Sequence, residues 1–202
     1  MLLDKLKMYD VVLASKSPRR QDLLRGLGAD FRVCESGEAE MVRPEWQPEE
    51  MVTRLARQKA ESVFRRLSAQ GREDSASPLL VIGGDTLVVR DSKVLGKPKD
   101  EADARRMLQL LSGGTHTVLS GVCVLTSEKC LTDCARSEVT FCTLPEEDVA
   151  YYVRNYRPMD KAGSYGVQEW IGYRAISAIQ GSFYNVMGLP THLLWRMLES
   201  LV

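Results

Sequence analysis

Short apolar runs alternate with amphipathic stretches along the chain, and most runs end in residues that favour a turn or a helix start. Val11-Val12-Leu13-Ala14 reads as a short buried strand. It leads into Ser15-Lys16-Ser17-Pro18-Arg19-Arg20, where Ser17 is a natural N-cap and Pro18 the first helical position. Leu23, Leu24 and Leu27 follow at helical spacing, and Gly28 is placed to end the helix. A second helix is predicted from near Pro48, with Glu49 and Glu50 in its first turn and Val52, Leu55, Ala56, Ala60, Val63 and Leu67 along one face. The polar run from Gln70 to Pro78 closes it as a surface loop.

Leu79-Leu80-Val81-Ile82 predicts another short strand, followed by Gly83-Gly84-Asp85-Thr86 and a further strand over Leu87 to Val89. Residues 101 to 112 read as a helix closed by Gly113-Gly114, and two long strands are expected around Thr117 to Leu125 and Arg136 to Leu144. Pro145-Glu146-Glu147-Asp148 opens a helix that must stop before Pro158. A Gly-rich segment from Asp160 to Gln168, a strand near Tyr173 to Ile179 and a last helix after Pro190 complete the pattern. The alternation supports a mixed α/β fold with extended antiparallel strands in its second half. The sequence contains no internal repeat or low-complexity tract.

At 202 residues and 44% hydrophobic content the chain can bury a sizeable core, as one domain or a compact pair of lobes, without covalent staples. Lys plus Arg and Asp plus Glu balance at 27 each, so the overall field predicts neither a nucleic-acid partner nor binding to an anionic membrane, and any phosphate recognition must be local. Cys34, Cys123, Cys130, Cys134 and Cys142 are odd in number and lack paired CxxC spacing, which argues for buried reduced thiols over disulfides or a zinc site. The amino-terminal apolar run is too short and interrupted for a signal peptide, and no stretch approaches the ~20 apolar residues of a membrane span. A soluble protein in a reducing, cytoplasmic setting is expected.

Four places could carry chemistry. A serine-rich turn opening a helix offers amides and a dipole that attract phosphate, and Arg19 and Arg20 add fork-shaped donors; an ordinary capped helix with solvated arginines accounts for the same residues. Lys59 lies inside the apolar stripe, four residues after Leu55 and four before Val63. It must snorkel, pair or meet a ligand. Asp85 follows an apolar strand directly, placing a carboxylate over the sheet edge where it could bind metal or activate water, although Gly-Gly-Asp also makes a plain turn. Lys97 falls just beyond a further strand, in a ligand site or an exposed turn. His116 and His192 have no partner at metal-ligand spacing and read as packing or surface residues, and Tyr151, Tyr152 and Tyr156 as a helical packing face.

Taken in order, Leu13 to Arg20, Gly83-Gly84-Asp85-Thr86, Gly96-Lys97-Pro98, Met159 to Gln168 and Phe183 to Pro190 resemble the motifs of the Maf family of nucleotide pyrophosphatases over nearly the whole chain. The resemblance implies a single Maf-like domain over residues 1–202, similar to inosine triphosphate pyrophosphatases, with a mixed twisted sheet, helices and two lobes around a deep cleft. It implies hydrolysis of a nucleoside triphosphate to the monophosphate and pyrophosphate with magnesium, manganese or cobalt. Asp85 resembles the proton acceptor and a metal ligand, Ser15 and Arg20 the phosphate contacts, and Lys59 and Lys97 the cleft lysines. The family's acidic position after the first helix falls on Glu40, with Glu38 as substitute, as a phosphate-side or metal-binding residue. Gly84 replaces a usual alanine and Ser182 a usual aspartate. Arg19, Thr86 and Gln168 resemble the set of members that take dTTP and UTP, where members that take 7-methyl-guanosine triphosphate carry Trp, Gln and Glu. Alternatives are a pyrophosphatase of modified nucleotides and a nucleotide-binding regulator of cell division. A homodimer would suit the family.

Overall fold

The computed structural model describes residues 1–38, 41–43, 45–70 and 77–201. Its elements are α1 (Leu2–Leu6), β1 (Asp10–Leu13), α2 (Pro18–Gly26), β2 (Arg32–Val33), α3 (Pro48–Ser68), β3 (Leu79–Arg90), β4 (Lys93–Leu95) and α4 (Glu101–Leu111). There follow β5 (Thr115–Leu125), β6 (Cys130–Phe141), α5 (Glu146–Tyr156), α6 (Trp170–Ala175), β7 (Ile176–Gln180), α7 (Phe183–Met187) and α8 (Thr191–Leu201). The seven-stranded sheet is mixed, in the order β2-β1-β3-β5-β6-β7, with β4 paired to β3. The expected α/β class is therefore observed.

The chain folds as two compact units. The first comprises Met1–Asp85, Ser120–Ala135 and Gly188–Val202. Within it β1 lies parallel to β2 and β3, with Val12 opposite both Arg32 and Val81. Parallel strands need a crossover, and α3 belongs to the connection from β2 to β3. Leu80, Val81 and Ile82 are wholly buried, as expected for a parallel strand covered on both faces. The apolar face of α3 is the one read from the sequence: Val52, Leu55, Ala56, Ala60, Val63 and Leu67 are all buried. Ala56, Ala60, Val63 and Leu67 pack with Val12, Ala14, Leu79 and Val81 into one core.

The second unit comprises Thr86–Leu119 and Arg136–Met187. Asp91 and Ser92, both with positive φ, turn β3 into antiparallel β4, and β6 pairs antiparallel with β7. Asp100 caps α4 by accepting the Asp103 N–H at 2.8 Å. The core joins Leu108, Leu111, Phe141, Tyr152, Val153 and Ile171. Arg157, left-handed at φ 44°, stops α5 ahead of Pro158 as expected.

Several boundaries differ from the sequence pattern. Gly83-Gly84-Asp85-Thr86 is not a turn: Leu79–Arg90 is one 12-residue strand, so Asp85 lies within the strand and not at its carboxyl end. Strand β6 starts at Cys130 and not at Arg136, and Tyr173 to Ala175 end helix α6, with β7 beginning at Ile176. The short helices α1, α6 and α7 have no clear periodicity in five or six residues. All five cysteines are free, but only Cys123 is buried; Cys130 and Cys142 are exposed. Cys130 and Cys134 lie in the sparsely covered first half of β6, and Cys142 just past its end. The loop read from Gln70 to Pro78 falls mostly outside the described residues.

Candidate active site

The first unit gathers two groups of the predicted residues. At the junction of β1 and α2, Ser15 is buried, and its Oγ accepts the Ser17 N–H and an Nη1–H of Arg20, each at 3.2 Å. Arg20 also donates through Nε to the Gly188 carbonyl at 2.8 Å. The guanidinium is thus fixed by two anchors distant in sequence. Gly84 gives it room, since a Cβ there would stand 3.2 Å from Nε. Ser17 occupies the N-cap position of α2 with no side-chain capping bond, and its own N–H donates back to Ser15. An uncapped helix start beside a held arginine suits an anion. Arg19 is half-buried in the same first turn.

The second group follows from Gly83. A Cβ at this position would collide with the carbonyl oxygen of Ala56 and lie 3.0 Å from the Ala60 Cβ. Glycine therefore lets α3 seat directly on β3. Residues 83 and 85 share one face of the strand, so the contact that needs Gly83 also carries Lys59 onto Asp85. Their ammonium and carboxylate are ion-paired, with side chains only 14% and 12% exposed. Lys59 pairs instead of snorkelling. An ion pair largely out of water is strong in place and costly to break on one side alone.

Glu38, the substitute acidic residue, is paired with Arg65 at 3.0 Å on the exposed side, and Glu40 lies outside the described residues.

The second unit holds Thr86, Lys97 and Gln168. Thr86 is the strand residue after Asp85 and is half-buried. Lys97 is exposed and has no hydrogen bond or ion pair among the described residues. The loop it stands on is tied to the Gly-rich segment, since Gly163 N–H donates to the Gly96 carbonyl at 3.1 Å. Gln168 is half-buried, but its Oε1 is enclosed and has no hydrogen-bond partner among the described residues. Ser182, where aspartate is usual, caps α7: its Oγ accepts the Asn185 N–H at 3.3 Å, a task either residue can do.

Sequence reasoning missed a polar cluster in this unit. Tyr152, read as a packing residue, buries its ring but donates its hydroxyl to Glu169 and accepts the Gly166 N–H at 3.0 Å. Lys161, 7% exposed, pairs with Glu169 at 3.1 Å and Asp160 at 2.8 Å. The available signal was Lys161 itself, a cation among small residues that predicts burial with a counter-charge. His116 packs edge-on against Phe141 and Tyr165 and shares a 2.8 Å hydrogen bond with the Tyr165 hydroxyl, as its packing reading requires. Burial, aided by Arg90, lowers its pKa to about 4.

For a metal, Asp85 supplies a hard carboxylate oxygen. No group of three His, Cys, Asp or Glu side chains stands together among the described residues. One carboxylate plus phosphate oxygens is a donor set that fits magnesium or a similar cation arriving with a triphosphate.

The chain is thus a mixed-sheet α/β protein with a held arginine at a strand-to-helix turn and a buried Lys–Asp pair. The family model described as Maf-like protein matches residues 10–201, and the chain belongs to this family. A protein of Porphyromonas gingivalis named dTTP/UTP pyrophosphatase is 47% identical over 199 residues, covering 98% of this chain and 97% of the relative. Relatives of the same name from Bacteroides fragilis and Flavobacterium johnsoniae are 46% and 39% identical, covering 99% and 100% of this chain and the whole of each relative.

Proposed function

We propose that this chain hydrolyses dTTP and UTP between the α and β phosphates, giving the nucleoside monophosphate and pyrophosphate. The observation that carries this reading is the buried Lys59–Asp85 pair, and near-full-length likeness to proteins named dTTP/UTP pyrophosphatase supports it. Asp85 accepts a proton from a water whose oxygen attacks the α phosphorus. The bond from that phosphorus to the bridging oxygen breaks, and the oxygen leaves with pyrophosphate. Lys59, Lys97 and Arg20 offset the charge that grows on the departing group. Asp85, with Glu40 as a further ligand, would hold a divalent cation such as magnesium, manganese or cobalt, which would supply additional charge compensation when bound with the triphosphate. Ser15 fixes Arg20 and so the phosphate end.

Arg19, Thr86 and Gln168 select the base. The Gln168 amide has one acceptor and donors on one group, so its oxygen suits the N3–H of uracil or thymine and its N–H a neighbouring carbonyl. Cytosine lacks a proton on N3 and leaves that oxygen unpaired. Pyrophosphate release over dTTP, UTP, CTP and 7-methyl-GTP with added metal tests the reading. The expected kcat/KM order places dTTP and UTP at least about 100-fold above the others. A preference for the methylated purine would overturn the base assignment, and nucleotide binding without pyrophosphate release would favour a regulator.

A further inference from the structure

We infer that Tyr152, Glu169 and Lys161 act as positioning residues that hold the Gln168 amide for base selection, an inference resting on the pyrimidine reading above. Gln168 sits between two residues caught by a single tyrosine. The Tyr152 hydroxyl accepts the Gly166 N–H at 3.0 Å and donates to the Glu169 carboxylate, so both of its hydrogen-bonding functions are spent on Gln168's close neighbours. Burial, reinforced by the Glu169 carboxylate, pushes the Tyr152 pKa up and keeps the hydroxyl a donor. Lys161 locks the carboxylate from its other oxygen at 3.1 Å and is itself braced by Asp160 at 2.8 Å.

Backbone packing shapes the same turn. A Cβ on Gly166 would lie 2.8 Å from the Glu169 carboxyl carbon, so glycine lets that carboxylate fold back over the turn. Gly172 similarly admits the Val167 carbonyl where a side chain would collide. Gly166 and Glu169, on either side of Gln168 in the turn, are therefore held in place. A Gln168 amide seated between held neighbours keeps one orientation, and a fixed amide discriminates N3–H from bare N3 more sharply than a mobile one.

The test compares UTP and CTP in Tyr152→Phe, which deletes one oxygen, with Glu169→Gln as a second variant of the same contact should the first fold poorly, and Gln168→Ala as the reference. The clamp predicts that Tyr152→Phe or Glu169→Gln lowers the UTP-to-CTP ratio of kcat/KM roughly tenfold, mostly by weakening UTP, with kcat on CTP changed less than about threefold. Equal losses on both nucleotides, or a lowered melting temperature with an unchanged ratio, would show a purely structural cluster and overturn the inference. If Gln168→Ala collapses the ratio while the clamp variants keep it, the base reading stands and the clamp fails. If Gln168→Ala itself leaves the ratio unchanged, the base reading fails and takes the clamp with it.

Discussion

Asp85 and Lys59 depend on each other, and their variants separate chemistry from stability. Asp85→Asn keeps the shape but removes the base, so kcat is expected to fall at least about 100-fold in a folded protein. Near-normal turnover would refute the assignment. Lys59→Met strands a mostly buried carboxylate and should cost about 3 kcal/mol of stability besides activity. The double variant Lys59→Met with Asp85→Asn should regain most of that stability while remaining inactive, and denaturant melts of the three variants measure the coupling.

His116 makes a different kind of prediction at the same scale. Its folded pKa of about 4 lies below the ordinary 6.5, so the folded protein takes up this proton later than the unfolded chain as pH falls. Its contribution is full above about pH 6.5 and is lost on the way down to about pH 4, on the order of 3 kcal/mol in all. Thermal melts across that window should show a steeper fall for the native chain than for His116→Gln. Parallel curves would mean that the imidazole does not govern acid sensitivity.

At the scale of elements, the seating of α3 on β3 places the Lys–Asp pair, and it is set by a residue with no side chain. Gly83→Ala puts a methyl group against the Ala56 carbonyl, and the helix must lift. The expected cost is about 1–3 kcal/mol, the usual scale of overpacking, with a loss of kcat because Lys59 moves with the helix. Gly26, in the last turn of α2, has open space where a methyl group would stand, with no atom within 4 Å, so Gly26→Ala should instead raise stability by about 0.5–1 kcal/mol and leave turnover unchanged. Equal melting temperatures for the two variants would contradict the packing account.

For the whole molecule, positive and negative charges cancel, so the proposed phosphate recognition must come from a few cations held locally. No group of three metal-ligand side chains stands together among the described residues. A cation that arrives largely with the nucleotide should be needed for turnover and not for folding. Chelation is expected to stop pyrophosphate release, and magnesium, manganese or cobalt to restore it. The melting temperature should be the same with and without metal, and a marked rise on adding metal alone would indicate a resident site.

The sequence by itself determined the mixed α/β class, the apolar face of α3, the strand-to-helix turn at Ser15 and the ordered motifs of the Maf family, because these are written in local periodicity and short spacing. Tertiary structure decided the rest. Gly83-Gly84 is compatible with a turn or a strand, and its place in a strand between β1 and β5, with α3 and Arg20 packed close against it, makes it extended. Lys59 could have snorkelled until α3 was laid on β3 and the Asp85 carboxylate met it. Tyr152 and Glu169 carry no local sign of their partnership, since the tyrosine stands 17 residues from the glutamate it bonds, and Lys161 signals a counter-charge without saying which. Contacts between residues distant in sequence are fixed by how elements pack, and a linear pattern does not record them.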